Sequence, residues 1–181
     1  MTYSNEWLSE NINRKDRLDF LFFWGHRPSK DGSITQSCFS QWWVSPFEVN
    51  GVSYPTAEHW MMAVKAKLFG DKDAHEEIIA TKSPAEVKKL GRMIKGFDSI
   101  LWDTHKYGTV TEGNYHKFSQ NTDLKKYLLQ TGERIIVEAS PVDTIWGIGM
   151  AADNPQINNP ENWKGENLLG YALMEVRDRL K

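Results

Sequence analysis

Residues 46–70 read PFEVNGVSYPTAEHWMMAVKAKLFG, and the reading of this stretch sets the fold class. Alternating residues flank Asn50-Gly51, the preferred pair for a type I′ turn, so the first part is expected to be a β-hairpin. The hairpin delivers the chain into a helix. Pro55 limits the preceding turn, Thr56 is placed as an N-cap and Gly70 as the C′ stop. At about 100° per residue, Trp60, Val64 and Leu68 share a face that should pack into a core. Glu58, Met62 and Lys65 fall on nearly the opposite face, where two charges accompany a methionine. That face is either solvated surface or the floor of a binding site.

Outward from this stretch, DFLFFW (19–24) reads as a buried strand followed by a loop through GHRPSKDGS. On the other side DAHEEIIA continues helical. SPAE (83–86) is a capping box with Pro at the first helical position, and Gly91 is expected to end that helix. A helical region spans 102–119, weakened by Gly108 and Gly113. DLKKYLLQ is a short helix stopped by Thr131-Gly132. RIIVEA (134–139) is an apolar strand, and DTIWGIG (143–149) is expected to be a second short one. The last helix, ENLLGYALMEVRDRL, repeats Leu169, Ala172, Leu173, Val176 and Leu180 at helical spacing. Residues 1–18 read as a polar, charged arm laid on the surface. No repeat or linker divides 19–181. The expected fold is a single compact α+β domain, predominantly helical with a small β-sheet.

The totals narrow the function. A chain of 181 residues is long enough for a real core. Its 40% hydrophobic and 25% charged content argues against disorder. No apolar run approaches the roughly 20 residues that cross a bilayer, and the N-terminus lacks the apolar middle of a signal peptide. One cysteine, Cys38, cannot form an internal disulfide, so a cytoplasmic location is expected. A net charge of −2 gives no global basic field for nucleic acid, so any nucleotide site must be local. Eight tryptophans, six tyrosines and eight phenylalanines supply many flat rings. Trp102, Trp146 and Trp163 lie beside Gly, Asp or Asn instead of inside periodic apolar runs, which makes them candidates for a cleft.

Metal chemistry finds no support. The five histidines form no HExxH, no close pair and no set with Cys38 at zinc spacing. A serine elbow, a Walker loop and a GxGxxG after a strand are all lacking. Acid–base work by carboxylates among aromatics remains. Glu58 and Lys65 are two helical turns apart, with Cα atoms about 10 Å from one another, which suits bracketing a small ligand. A Glu in the first turn also simply favours the helix dipole. Asp143, with Trp146 three residues on, is the second candidate; a turn-forming Asp after Pro141 is the competing explanation. Lys88, Lys89, Arg92 and Lys95 surround LGRMIKGF, and Lys117 lies in HKFSQN. Arg92 offers a planar fork for phosphate, whereas Lys88 and Lys89 fit a solvated helix face.

Taken together, CFSQWW, PFEVNGVSYPTAEHWMMAVKA, LGR, FDSILWD, GNYHKFSQN, LLQTG, VEASPVDTIWGIG and NWKGENLLGYALMEVR resemble the NADAR, or YbiA-like, family. The pieces run in family order over nearly the whole chain outside the arm. The resemblance implies an N-glycosidase acting on ribose joined to nitrogen. Family members cleave phosphorylated ribosylamino-pyrimidines of the riboflavin pathway or remove ADP-ribose from guanine bases in nucleic acid. It places Glu58 at the key Glu of the TAEH motif and Asp143 at the Asp before WGIG. It also assigns substrate binding to Phe39, Ser40, Gln41, Lys65, Arg92, Trp102, Lys117 and Trp146.

Under that resemblance, one carboxylate steadies an oxocarbenium-like ribosyl cation or activates water and the other plays the complementary part, in either order. Burial would raise the Glu58 pKa and Lys65 would lower it. Trp102 and Trp146 are expected to stack on base or ribose, and Lys65, Arg92 or Lys117 to hold phosphate. The reaction requires no metal or redox cofactor and no membrane. The alternative is a module that binds ADP-ribose or a nucleotide without cleaving it; a structural interaction domain is a further one. Sequence does not choose the ribosyl substrate or the oligomeric state.

Overall fold

The computed structural model describes residues 1–12 and 18–181; positions 13–17 of the expected N-terminal arm lie outside them. The described residues hold seven helices and four short strands, the mainly helical α+β composition read from the sequence. They form two compact units, Met1–Ser40 with Thr122–Lys181, and Gln41–Asn121. The strands divide into two pairs, one in each unit.

The unit Gln41–Asn121 is built around the hairpin and the helix that follows it. Strands β2 (Phe47–Val49) and β3 (Val52–Tyr54) pair antiparallel. Asn50 and Gly51 both adopt positive φ, 52° and 77°, as a type I′ turn requires. Helix α2 (Ala57–Leu68) begins at Thr56, whose hydroxyl accepts the His59 amide, and Gly70 at φ 71° closes it. Helices α3 (Lys72–Ala80), α4 (Pro84–Arg92) and α5 (Ser99–Gln120) pack around α2. Asp71, Ser83 and Asp98 cap them through side-chain oxygens. Helix α4 continues one residue beyond Gly91.

Helix α5 runs 22 residues through both Gly108 and Gly113. Gly113 has a packing reason. A Cβ there would lie 2.3 Å from Cδ1 of Trp60, whose indole N–H donates to the Thr109 carbonyl at 2.9 Å. The Gln120 side chain, at the far end of α5, accepts from the Glu48 amide and donates to the Glu48 carbonyl, mimicking a neighbouring strand for β2.

One expectation for α2 is reversed. Glu58, Met62 and Lys65 are buried, while Trp60, Val64 and Leu68 are only half-buried. Met62 and Lys65 go inside because Gly91 of α4, Phe97, and Trp102 at the start of α5 lie against them. Gly91 of α4 sits so close to Met62 that a Cβ would fall 2.0 Å from its Sδ.

In the other unit, β1 (Phe20–Phe23) pairs in parallel with β4 (Ile135–Glu138), Phe20 opposite Ile135 and Phe23 opposite Glu138. Helix α7 (Leu168–Arg179) lies on β4 and is buried nearly all round, from Leu168 to Met174. Helix α6 (Thr122–Gln130) ends at Thr131-Gly132, with Gly132 at φ 62°. Within the N-terminal arm, α1 (Asn5–Ile12) buries Leu8. Asn5 donates to the Gly165 carbonyl and accepts from the Tyr171 hydroxyl, and Tyr3 donates to Asp178.

The segment DTIWGIG is a loop, not the second short strand expected. Asp143 Oδ1 accepts the amides of Ile145 and Trp146, and its carbonyl accepts Gly149. These bonds fold the segment onto its first residue and commit the Ile145, Trp146 and Gly149 amides locally, while the Ile148 amide donates to the end of β4, at the Glu138 carbonyl. Among the described residues no helix is long and apolar enough to cross a membrane.

Candidate functional site

Each unit carries one of the two candidate carboxylates. In Gln41–Asn121 the start of α2 is held rigidly. The Nε2–H of His59 donates to the Thr81 carbonyl at 2.9 Å, and its Nδ1 meets the Thr56 hydroxyl at 2.8 Å. Burial lowers the pKa of this imidazole, so it acts as a neutral brace. Glu58 stands next to it with 3% of its surface exposed, and its amide donates to the Gln41 carbonyl at 3.0 Å.

Two turns along α2, the Lys65 ammonium donates to the Gly91 carbonyl at 2.8 Å. It lies 4.1 Å from the Phe97 ring centroid and 5.5 Å from that of Trp102. Burial lowers its pKa, and the charge of Glu58 pushes the pKa back up. Trp102 is half-buried and Phe97 remains 47% exposed. A buried carboxylate and an ammonium in an aromatic cage therefore share one helix face. That combination suits stabilisation of developing positive charge beside an anionic group.

Gln41 is buried, and its Nε2 donates to Asn114 Oδ1 at 3.1 Å. Lys117 is fully buried, its Nζ 5.1 Å from the Phe118 ring. Arg92 is exposed in the last turn of α4.

The other unit holds Asp143, Trp146, Phe39 and Ser40. Phe39 is fully buried between Phe23 and Tyr127, with centroids 5.5 and 5.6 Å away. Ser40 is half-buried at the end of a 3₁₀ turn. Asp143 and Trp146 are half-buried in their loop, which is stitched to the chain leading into α7. Glu166, Asn167, Leu168 and Leu169 donate their amides to Thr144, Gly147, Ile145 and Trp146. Asn167, in the left-handed region at φ 54°, also bonds the β4 backbone at the Ile136 carbonyl and the Glu138 amide. No three His, Cys, Asp or Glu side chains among the described residues gather closely enough to hold a metal ion.

Residue reasoning did not single out three contributors. Phe97 cages Lys65, Asn114 holds Gln41 and Asn167 holds the Asp143 loop. Phe97 and Asn114 lie beside or within recognised motifs, FDSILWD and GNYHKFSQN. The φ of Asn167 has no signature in the sequence.

The NADAR domain pattern matches residues 22–181, across both units. The chain belongs to the NADAR domain family. "N-glycosidase R617" of Acanthamoeba polyphaga mimivirus is 46% identical over 165 residues, which cover 88% of this chain and 95% of that protein. "N-glycosidase YbiA" of Escherichia coli (strain K12) is 32% identical over 142 residues, covering 78% and 80%. The NMR structure of E. coli YbiA matches this NADAR chain with a TM-score of 0.71 at 29% identity, covering 90% of it and 84% of YbiA. The α+β fold is that of the YbiA structure.

Proposed function

We propose that the chain is an N-glycosidase that hydrolyses a ribose–nitrogen bond in a phosphorylated ribosyl compound. The observation that carries this reading is the buried face of α2, where Glu58 shares a stripe with the caged ammonium of Lys65. The curated relatives named N-glycosidases support it. In the reaction the C1′–N bond breaks, the departing nitrogen takes a proton and water oxygen joins C1′. Glu58 stabilises the ribosyl cation or takes the proton of the attacking water, and Asp143 plays the complementary part. Trp102 and Trp146 present rings to the base or ribose, worth about 1–3 kcal/mol per stacked base. Lys65, Arg92 and Lys117 supply positive charge for phosphate.

The resemblance offers two substrates, a ribosylamino-pyrimidine phosphate and ADP-ribosylated guanine in nucleic acid. Both are incubated with the protein, released base and sugar are followed by chromatography, and folded Glu58→Gln serves as control. Release from one of them, reduced on the order of 10²–10³ in the variant, is expected. A folded Glu58→Gln protein with full activity removes Glu58 from the scheme. Release from neither substrate, with tight ADP-ribose binding, turns the reading to a non-catalytic binding module.

A further inference from the structure

The amide of Gln41 has only one allowed orientation, and the backbone of α5 imposes it. Asn114 is fully buried, and its Nδ2 donates to the Val110 carbonyl at 2.9 Å. A carbonyl oxygen only accepts, so turning the Asn114 amide over would set two oxygens against each other. Asn114 Oδ1 therefore faces Gln41 and must receive a donor, which fixes the Gln41 NH₂ group toward it at 3.1 Å. The remaining atom, Gln41 Oε1, is buried with no hydrogen-bond partner among the described residues. The same residue's carbonyl accepts the Glu58 amide, which ties Gln41 to the first turn of α2.

We propose that Asn114 is a positioning residue that holds Gln41 as an acceptor, and that Gln41 Oε1 reads an N–H or O–H donor on the ribosyl ligand. This rests on the glycosidase reading for the identity of the ligand. An acceptor at this point repels ionised phosphate, so phosphate lies elsewhere and the sugar hydroxyls or the base meet Gln41. A buried amide oxygen satisfied only by ligand favours a ligand with the matching donor by about ten- to a hundredfold.

Two donor sources are separable. Gln41→Leu, with Gln41→Met as a second variant should the first fail to fold, is compared with the native protein. Equilibrium binding of ADP-ribose and kcat/KM on whichever base-bearing substrate is turned over are both measured. A ribose hydroxyl on Gln41 weakens ADP-ribose binding by about ten- to a hundredfold. A base N–H leaves ADP-ribose binding unchanged and lowers kcat/KM by a similar factor. Neither falling overturns the proposal, as would result if a bound water satisfied Oε1.

The role of Asn114 is tested by a double-mutant cycle. Asn114→Ala alone should weaken the Gln41-dependent quantity about tenfold, because the freed amide turns over. In the Gln41→Leu background it should change it less than twofold. Equal losses in both backgrounds make Asn114 merely structural and overturn its part. If the native protein releases base from neither substrate, Gln41-dependent ADP-ribose binding still upholds the proposal while the glycosidase reading fails. In that case, failure to bind ADP-ribose, or binding indifferent to Gln41, overturns it.

Discussion

Helix α5 contains two glycines that should respond to the same substitution with opposite sign. A Cβ on Gly113 would lie 2.3 Å from Cδ1, 2.8 Å from Nε1 and 3.0 Å from Cγ of Trp60. An indole is rigid, and this one is held by its bond to Thr109 and by Tyr54 and His116, with ring centroids 5.2 and 5.6 Å away. Gly113→Ala therefore drives Trp60 off its bond. Overpacking costs about 1–3 kcal/mol and the hydrogen bond about 1, while replacing a helical Gly by Ala returns about 1. The net loss is about 2 kcal/mol, or roughly 4–8 °C in Tm for a chain of this size. Gly108 has nothing within 4 Å of its Cβ position and sits exposed on the same helix. Gly108→Ala should raise Tm by about 2–4 °C. Thermal unfolding followed by circular dichroism compares the two. A Gly113→Ala protein as stable as Gly108→Ala would refute the claim that Trp60 is locked against α5.

Other substitutions probe the remaining supports. Lys65→Met keeps the volume and removes the cost of burying a charge, so Tm should move by less than about 4 °C, while turnover of the active substrate falls about a hundredfold. A collapse in stability would show instead that the ammonium holds the fold. The folded pKa of His59 lies below 6.5, so the unfolded chain takes up the proton first. Stability should therefore decline as pH falls through about 6.5 toward the folded value. His75 acts with the same sign, so His59→Gln should flatten this slope without abolishing it in urea titrations at several pH values. Asn167→Ala loses two backbone bonds and strains a left-handed position, for about 3 kcal/mol. Asn167→Gly should recover about 1 kcal/mol in the same titration, and equal losses would deny the strain.

Local chemistry made much of this fold readable in advance. Asn50-Gly51, Thr56, Gly70, Ser83 and Gly132 each act within a few residues, the caps through side-chain oxygens and the turns through positive φ, and each turn or cap stands where they place it. The burial of Glu58 and Lys65 was not readable, because the rings that enclose Lys65 arrive from Phe97 and Trp102, more than one helix later. Periodicity ranked the Trp60 face as the inner one because it scores side chains by polarity alone, not by their neighbours. The Asp143 loop failed for a related reason. Its apolar residues suit a strand, yet one carboxylate oxygen captures two amides and settles the conformation. Gln41 and Asn114 meet across 73 residues, so no local signal predicts their bond.

The order in which the chain is made bears on the parallel pair of β1 and β4. All of Gln41–Asn121 and helix α6 are synthesised between those two strands. The inserted unit contains its own hairpin and four helices and is compact by itself, so it is equipped to fold while still near the ribosome. The stretch FLFF of β1 waits through that entire interval without its partner, an apolar edge presented to any other nascent strand. The slowest and most aggregation-exposed moment in the life of this protein is therefore expected before Ile135–Glu138 emerges, and a chaperone that shields residues 20–23 would act in that window.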